Sequence, residues 1–344
     1  MRLRGLATGI GSLPFTDADT AVDKVLSNVP QIPFWPQLPK RDAKEGMIAQ
    51  FSEHMPCLRA RNGDVVFCPE DKDTQLERFY EKVIAQDTEY FSISPDYAAG
   101  LYAFYRKLSL SPELLAEISC IKCHITGPFT FAASVKDESG VALMHDEVFM
   151  QTVVAGLTMK ALWQVKLFET FRKKIIVFLD EPFLASFGSA YTSLNRETVV
   201  KTLSDITFAL RRAGALSGVH CCGNTDWSMF TDIETLDIIN FDAFGFMEKI
   251  ILYAPQLKDF LRRGGLLCWG IVPTQDYSDA QTPDKLVRII EEGIKILTLK
   301  GVDESMLAEQ LLISPSCGLG ALPADKAAGI LKLLHDTSAL LRTS

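Results

Sequence analysis

The sequence lacks any stretch of about 18 or more consecutive apolar residues, so it predicts no membrane-spanning helix. Residues 1–6 lack the long apolar segment of a secretory signal peptide, and we therefore expect a cytoplasmic protein. Positive charge is also in deficit, because 35 Lys and Arg stand against 43 Asp and Glu, giving a formal net charge of −8. This balance argues against nucleic acid or an anionic membrane as the main partner.

Two further features are missing. Neither of the glycine-rich phosphate-binding motifs, G-x-G-x-x-G and G-x-x-x-x-G-K-[ST], follows any apolar run, which weakens a nucleotide-binding interpretation. Eight cysteines in 344 residues do not form the dense pattern of a disulfide framework, so reduced thiols are expected. Apolar sequence is abundant, however: 47% of the residues are hydrophobic and 23% are charged, which is enough for a sizeable core.

Short apolar runs alternate with longer amphipathic stretches, a pattern typical of parallel α/β folds. Eight such runs lie near residues 8, 34, 122, 177, 218, 239, 268 and 313. Eight β/α units in this length predict a single (β/α)8 TIM barrel over residues 1–344, with a doubly wound open sheet as the alternative. The Asn62-Gly63 pair between apolar flanks predicts a small hairpin insertion at about 54–70.

Helices are expected at about 17–26, 72–86, 95–107, 146–171 and 323–341, and another that begins at Thr282-Pro283. The apolar run near residue 34 carries Pro33, Pro36 and Pro39. Proline is unfavourable inside a central strand, so this run is interpreted as a short strand that leads into a functional loop.

A histidine and three cysteines form the most informative pattern. The apolar run 215–219 leads to His220 and Cys222, which can face one ion while Cys221 faces away, because residues i and i+2 of a strand point the same way. A second apolar run, 311–313, leads to Cys317. Imidazole and thiolate are preferred zinc ligands, so the pattern predicts a zinc site with an open or exchangeable fourth position. The alternative is three unrelated buried residues.

Two carboxylates, Asp180 and Glu181, end the clearest buried run, 175–179. We treat both as candidate catalytic residues: one could hold a substrate ammonium group while the other supports the surrounding shell. The alternative is a carboxylate that caps the next helix.

Asp242 follows the run 238–241 and is either the fourth zinc ligand or a helix N-cap, and Glu248 is a weaker candidate ligand. Ser12 could donate from its hydroxyl and backbone to a substrate carboxylate, or it could be a turn residue. In a barrel the C-terminal strand ends form one face, so these distant groups are expected to converge.

A metal site with soft ligands can activate a thiol, since the cation stabilises the nucleophilic thiolate. Activation of water for hydrolysis is the other common use of such an ion. Sulfur-rich ligation lowers the Lewis acidity of the ion and therefore favours thiol alkylation.

Five motifs in these positions resemble the cobalamin-independent methionine synthase group, within the superfamily that also contains uroporphyrinogen decarboxylase and the methylcobalamin:coenzyme M methyltransferases. They occur in family order over nearly the whole chain: Thr8-Gly9-Ile10-Gly11-Ser12-Leu13-Pro14, Thr126-Gly127-Pro128-Phe129-Thr130, Asp180-Glu181-Pro182, His220-Cys221-Cys222-Gly223-Asn224 and Ser314-Pro315-Ser316-Cys317-Gly318-Leu319.

The resemblance implies a catalytic TIM barrel that holds zinc through His220, Cys222 and Cys317. The methionine synthases use a Glu as the fourth ligand, and the matching position here carries Asp242, which is one methylene shorter. The family binds homocysteine through residues that correspond to Ser12 and Asp180 here, with backbone contacts from Ile10.

The resemblance also implies the reaction, methyl transfer to a thiol, with homocysteine as acceptor. The folate-dependent enzyme has an additional N-terminal barrel, so a corrinoid donor, methylcobalamin or a corrinoid protein, is expected here instead of methyltetrahydrofolate. Three alternatives stay open: a coenzyme M-type methyltransferase, a metal-free decarboxylase-like enzyme, and a binding or carrier protein that keeps the zinc site without turnover. The Asp180-Glu181-Pro182 motif favours an amino-acid thiol over the sulfonate of coenzyme M. The oligomeric state is left open.

Overall fold

The structure is a computed structural model that describes residues 3–61, 63–137, 139–189, 194–278 and 280–343. Its strands are β1 (Leu6–Ala7), β2 (Leu58–Arg61), β3 (Asp64–Phe67), β4 (Cys120–Thr126), β5 (Lys174–Asp180), β6 (Leu216–Cys221), β7 (Ile238–Phe241), β8 (Leu266–Val272) and β9 (Leu311–Pro315). Seven of them form one curled parallel sheet in the order β1, β9, β8, β7, β6, β5, β4. The chain therefore has the predicted α/β architecture with a parallel sheet.

Helices connect the strands. They are α1 (Ala18–Asn28), α2 (Lys72–Ile84), α3 (Ala99–Leu110), α4 (Pro128–Ser134), α5 (Glu147–Glu169), α6 (Arg196–Arg212), α7 (Ser228–Thr231), α8 (Ala243–Ile250), α9 (Ala254–Arg262), α10 (Pro283–Leu299), α11 (Glu304–Glu309) and α12 (Ala324–Thr343). Short 3₁₀ turns cover Ala43–Glu45, Ala49–Phe51, Thr88–Phe91, Pro112–Ala116, Leu143–His145, Pro182–Ser186 and Ile251–Tyr253. Among the described helices, none is both long enough and apolar enough to cross a bilayer.

The helix boundaries follow the capping chemistry of the sequence. Asp17, Asp146 and Thr282 each accept a backbone N–H in the first turn of the helix that they precede. Pro283, just inside α10, has no N–H to leave unpaired in that turn. The helices predicted at about 17–26, 72–86, 95–107, 146–171 and 323–341 correspond to α1, α2, α3, α5 and α12.

Strand register places alternate residues in one layer inside the curled sheet. One row of paired positions runs Thr126, Asp180, His220, Asn240, Cys268 and Leu312. Successive strand residues face opposite sides, so this row and its i±2 neighbours line the concave face. That face carries a small apolar cluster that includes Ile176, Phe178 and Ile238, and the larger core lies between the sheet and the helices.

The eighth strand expected near residue 34 is not formed. This segment makes only single parallel bridges, Ser12 with Gln37 on one side and Phe34 with Lys122 on the other. The three prolines that interrupt it supply no ladder donors, which explains why bridges replace a continuous strand. A complete eight-stranded barrel is therefore not confirmed, and the described hydrogen bonding gives a seven-stranded sheet.

The insertion predicted at about 54–70 is present as the antiparallel hairpin of β2 and β3, in which Leu58 pairs with Phe67 and Arg61 with Asp64. Of the predicted turn residues, Gly63 has a positive φ of 90°, a conformation that glycine adopts readily. Asn62 lies outside the described residues.

Candidate metal centre and substrate pocket

Three soft ligand groups converge at the C-terminal end of the sheet. His220 is the penultimate residue of β6, Cys222 follows that strand directly, and Cys317 lies two residues after β9. Their ligand atoms all lie within 4.8 Å of one another. The structure thus brings together the three residues that the sequence pattern selects.

The geometry fits a tetrahedral ion. Zn–S and Zn–N bonds of about 2.3 and 2.0 Å place neighbouring ligand atoms ~3.5 Å apart in a tetrahedron, so small side-chain rotations close the observed spacing. The Nε2 atom of His220 is buried, and no residue in the described part of the chain makes a hydrogen bond to it. A buried nitrogen without a partner is costly, and a metal ion would satisfy it.

His220 is held from its other side. Its Nδ1 atom is hydrogen bonded to Oδ1 of Asn240, the neighbouring residue on β7. Burial alone would lower the pKa of His220, but Cys317, Asp180 and Asn240 together raise it. These three groups therefore favour the protonated ring in the metal-free protein, and an ion would have to replace the Nε2 proton.

The two ligand thiols are half-buried and lie close enough to affect each other's ionisation. The hydrogen bond from Cys317 lowers the pKa of Cys222, although burial opposes it. The same pairing and burial raise the pKa of Cys317. Cys221 is buried on the opposite side of the strand, where its Sγ contacts the carbonyl of Gly223 at 3.6 Å. This placement agrees with the expected alternation along β6.

A cavity of about 280 Å³ opens beside the three ligands. Its lining residues are Ile10, Ser12, Gln37, Pro39, Met47, Asp180, Pro182, His220, Cys222, Cys317, Gly318, Gly320 and Ala321. The list contains the three residues expected to bind substrate, Ile10, Ser12 and Asp180. It also contains Gln37 and Pro39 from the proline-rich segment, which was expected to lead into a functional loop.

Asp180, the last residue of β5, is buried and directs a carboxylate into this cavity region. Its Oδ1 atom is buried and accepts no hydrogen bond from the residues that the structure describes. Burial raises the pKa of Asp180 to about 6, against the opposing charges of Lys122 and His220. An unpaired, desolvated carboxylate of this kind is suited to a cationic ligand group.

Ser12 and Ile10 also line the cavity. The Oγ atom of Ser12 accepts a hydrogen bond from the backbone N–H of Gly320 at 3.2 Å. A side chain at Gly318 would approach this oxygen to 2.4 Å, so the glycine is needed for the close contact. The carbonyl of Ile10 accepts a hydrogen bond from Nζ of Lys122, so this backbone group is already engaged inside the sheet.

Glu181, the second candidate catalytic carboxylate, faces away from the cavity toward the N-terminus of α4. It accepts hydrogen bonds from Phe129 N at 3.0 Å, Thr130 N at 2.8 Å and Thr130 Oγ1 at 2.6 Å. Burial raises the pKa of Glu181 to about 7, although these hydrogen bonds oppose the shift. Glu181 therefore caps a helix, but this helix is α4, which precedes β5, and not the next helix along the chain as the alternative had it. Gly127 leaves room for these contacts because a Cβ there would lie 2.2 Å from the carboxyl carbon.

Asp242 also makes a capping contact. Its carboxylate accepts the backbone N–H of Gly245 at 2.7 Å at the start of α8, and it is not one of the three residues in the convergent group. Glu248 is exposed on the same helix. In this structure the predicted fourth ligand thus occupies the N-cap position that was its alternative interpretation.

Two inward-facing polar residues of the sheet were not singled out from the sequence. Lys122 on β4 is fully buried, and its Nζ lies 4.5 Å from the ring centroid of Phe178. Asn240 on β7 is fully buried beside His220. The available signal was an Asn in the otherwise apolar strand β7, and a Lys in β4, a strand that also carries His124 and Thr126.

Comparison with known proteins gives limited matches. No protein-family model matches the chain. A solved structure of a modular endo-β-1,4-mannanase from Cellulomonas fimi covers 68% of this chain and 57% of its own, with 15% identity and a TM-score of 0.37, which is too low to support an argument.

One curated protein shows sequence similarity. The chain is 27% identical over 229 residues to a protein named methionine synthase from Methanocaldococcus jannaschii. The match covers 64% of this chain and 65% of that relative, just under two thirds of its length. Over that part, the chain is similar to a methionine synthase.

Proposed function

We propose that this protein is a zinc-dependent methyltransferase that transfers a methyl group to the thiol of homocysteine. The observation that carries the proposal is the convergence of His220, Cys222 and Cys317, with ligand atoms within 4.8 Å, on a cavity that also receives Asp180. The distant similarity to a methionine synthase supports a methyl-transfer enzyme.

His220, Cys222 and Cys317 would hold the ion, which leaves a fourth position for the substrate thiol or an exchangeable ligand. When bound, zinc supplies a Lewis acid that lowers the pKa of a thiol and so favours the thiolate. Two sulfur ligands suit this task better than activation of water. In the proposal Asp242 serves as the α8 cap, and its role as a fourth ligand is a separate question for mutagenesis.

The cavity walls would orient the amino acid. Asp180 presents an unpartnered carboxylate oxygen that would accept the substrate ammonium group. Ser12, which also lines the cavity, would donate to the substrate carboxylate from its hydroxyl and backbone. Ile10 would supply van der Waals and backbone contacts. Glu181 would act on the site indirectly, because it fixes the start of α4.

Cavity size bears on the methyl donor. Ligand pockets commonly enclose roughly 300–1,000 Å³, and the volume here, about 280 Å³, suits a small amino acid alone. A corrinoid donor, free or carried by a protein partner, would therefore present its methyl group from outside the cavity. The thiolate would then attack the methyl carbon in line, and the corrinoid would leave with the bonding electron pair of the broken cobalt–carbon bond.

The coenzyme M alternative is disfavoured by the charge of the pocket. Its lining, as described, includes the carboxylate of Asp180 and neither Lys nor Arg, whereas a sulfonate calls for a cation. The metal-free decarboxylase alternative gives no role to the two thiols that converge with His220.

We further propose that the chain forms one catalytic domain in the cytoplasm. In this domain the 32–38 segment, which bridges Lys122 of β4 on one side and Ser12 on the other, takes the place of the eighth strand and closes the barrel.

The test is a methyl-transfer assay with zinc-loaded protein, methylcobalamin as donor, and homocysteine, coenzyme M or no thiol as acceptor. We expect methionine to form with homocysteine and to be lost in Cys317→Ser together with the bound zinc. Methyltetrahydrofolate should not replace methylcobalamin. Stoichiometric zinc without methyl transfer from either donor would favour the carrier alternative, and an active zinc-free preparation would favour the decarboxylase-like one.

A further inference from the structure

A buried amide stands directly behind the predicted metal ligand. Asn240 lies on β7 in register with His220 on β6 and with Cys268 on β8, and it is fully buried in a strand whose other residues are apolar. Burying an amide in such a strand is unfavourable unless its hydrogen bonds are satisfied. The contacts of Asn240 therefore indicate what it does.

The amide nitrogen of Asn240 has two acceptors. Its Nδ2 atom donates to the backbone carbonyl of Cys268 at 2.8 Å and to Oγ of Ser314 at 2.8 Å. A carbonyl can only accept. The Ser314 hydroxyl donates its own hydrogen to the carbonyl of Pro315 at 2.9 Å, so it also accepts from Asn240. These two partners fix which end of the amide is NH₂.

The amide oxygen must therefore face His220. Oδ1 contacts Nδ1 of the imidazole and can only accept, so Nδ1 carries the hydrogen. In a neutral imidazole with Nδ1–H, the lone pair lies on Nε2, the ring nitrogen that no described residue hydrogen-bonds, and His220 is one of the three residues of the convergent group. The hydrogen bonds of β8 and β9 thus determine which histidine nitrogen is free to ligate.

We infer that Asn240 is a positioning residue of the metal centre: it holds His220 in the Nδ1–H tautomer and aims the Nε2 lone pair between Cys222 and Cys317. This inference rests on the proposed zinc site for its consequence, since an imidazole must be deprotonated at the ligating nitrogen. The tautomer itself depends only on the residues described here.

The experiment compares three variants in the full chain. Asn240→Leu removes the acceptor, whereas Asn240→Asp keeps an acceptor for Nδ1–H. Gln164→Leu is the matched control, because Gln164 is also a fully buried amide with two hydrogen-bonded neighbours, Trp35 and His124, and does not contact the ligands. Urea unfolding of each variant shows whether it is folded.

Two readouts are measured. Long-range ¹H–¹⁵N NMR of metal-free protein in mildly alkaline buffer reports the tautomer of His220, assigned with His220→Ala. Competition with a chromophoric chelator gives the zinc affinity. We expect Nδ1–H in the wild type, Gln164→Leu and Asn240→Asp, loss of that tautomer in Asn240→Leu, and zinc binding in Asn240→Leu weaker by about 10- to 100-fold.

The outcomes separate the two claims. An Nδ1–H tautomer in folded Asn240→Leu, or an Nε2–H tautomer in the wild type, would overturn the role of Asn240. Unchanged zinc affinity in Asn240→Leu beside strong binding in the wild type would also overturn it. If the wild type bound no zinc but showed the Asn240-dependent tautomer, the proposed function would fail while the positioning role would stand.

Discussion

Two buried histidines of the same sheet, each with an Nε2 atom that no described residue hydrogen-bonds, differ in what surrounds the ring. His220 has an amide on Nδ1, a free Nε2 and two thiols in front of it. His124, on β4, stacks on Trp35 with ring centroids 3.9 Å apart, and neither of its ring nitrogens has a hydrogen-bond partner. Burial strongly lowers the pKa of His124, with a contribution from Lys122, so its ring stays neutral and packs as an aromatic group.

The nearby amides explain the contrast. The amide oxygen of Asn240 is hydrogen bonded to the His220 ring. Gln164 instead accepts a hydrogen bond from Trp35 Nε1 and donates one to the backbone carbonyl of His124. Asn240 thus orients the His220 ring for ligation, whereas Gln164 links the buried Trp35 side chain to the backbone of β4. A buried histidine indicates a metal site only when its second nitrogen is oriented and other ligands face the first.

The largest expected effect is on zinc content. His220→Ala removes one of three ligands and should abolish stoichiometric zinc, whereas His124→Leu should retain one zinc per chain because its ring lies outside the convergent group. Elemental analysis of both variants after identical purification measures this difference. Zinc loss in folded His124→Leu would contradict the claim that His220, and not His124, holds the ion.

Gln164→Leu tests the structural role of the amide next to His124 through its effect on protein stability. The substitution leaves the buried donor of Trp35 and the carbonyl of His124 unpaired, each worth roughly 1–3 kcal/mol, so we expect the free energy of unfolding to fall by about 2–4 kcal/mol. Urea unfolding measures the loss. Little change in stability would mean that this amide does not hold the His124 region together.

Asp180→Asn tests the neighbouring carboxylates in the same way. We expect zinc to be retained and KM for homocysteine to rise about 10- to 100-fold, since a charged hydrogen bond to the substrate is weakened. Glu181→Gln is the control: its carboxylate caps α4, so unfolding should become easier with a smaller change in KM. Equal KM changes in the two variants would contradict the separation of roles.

The smallest effect concerns Glu45, a buried carboxylate outside the cavity that pairs with Arg41. Burial raises the pKa of Glu45 from 4.5 to about 7, against the opposing contribution of Arg41. The folded protein therefore binds more protons than the unfolded chain in this window, and stability should fall by about 2 kcal/mol as pH rises from 4.5 through 7. Urea unfolding of Glu45→Gln should lack this contribution, so the difference in unfolding free energy between the variant and the wild type should change with pH over this range. A difference that stays constant with pH would exclude Glu45 as the source.

The sequence predicts the parallel architecture and the convergent ligands because strand ends and i, i+2 spacing are local signals. His220 and Cys222 share one side of β6, and Cys317 follows another strand end. The direction of Glu181 and the role of Asn240 could not be predicted, since both depend on neighbours that only strand register and helix placement supply. The strand expected near residue 34 is replaced by single bridges, and the reason is local, because the prolines of this segment cannot donate to a strand ladder.

Zinc stoichiometry and coordination of the purified, unsupplemented protein test the central claim most directly. Elemental analysis under reducing conditions, followed by zinc X-ray absorption, should give one zinc per chain with two sulfur neighbours at about 2.3 Å and one imidazole nitrogen at about 2.0 Å. Absence of zinc, together with failure of added zinc to bind, would contradict the metal centre formed by His220, Cys222 and Cys317.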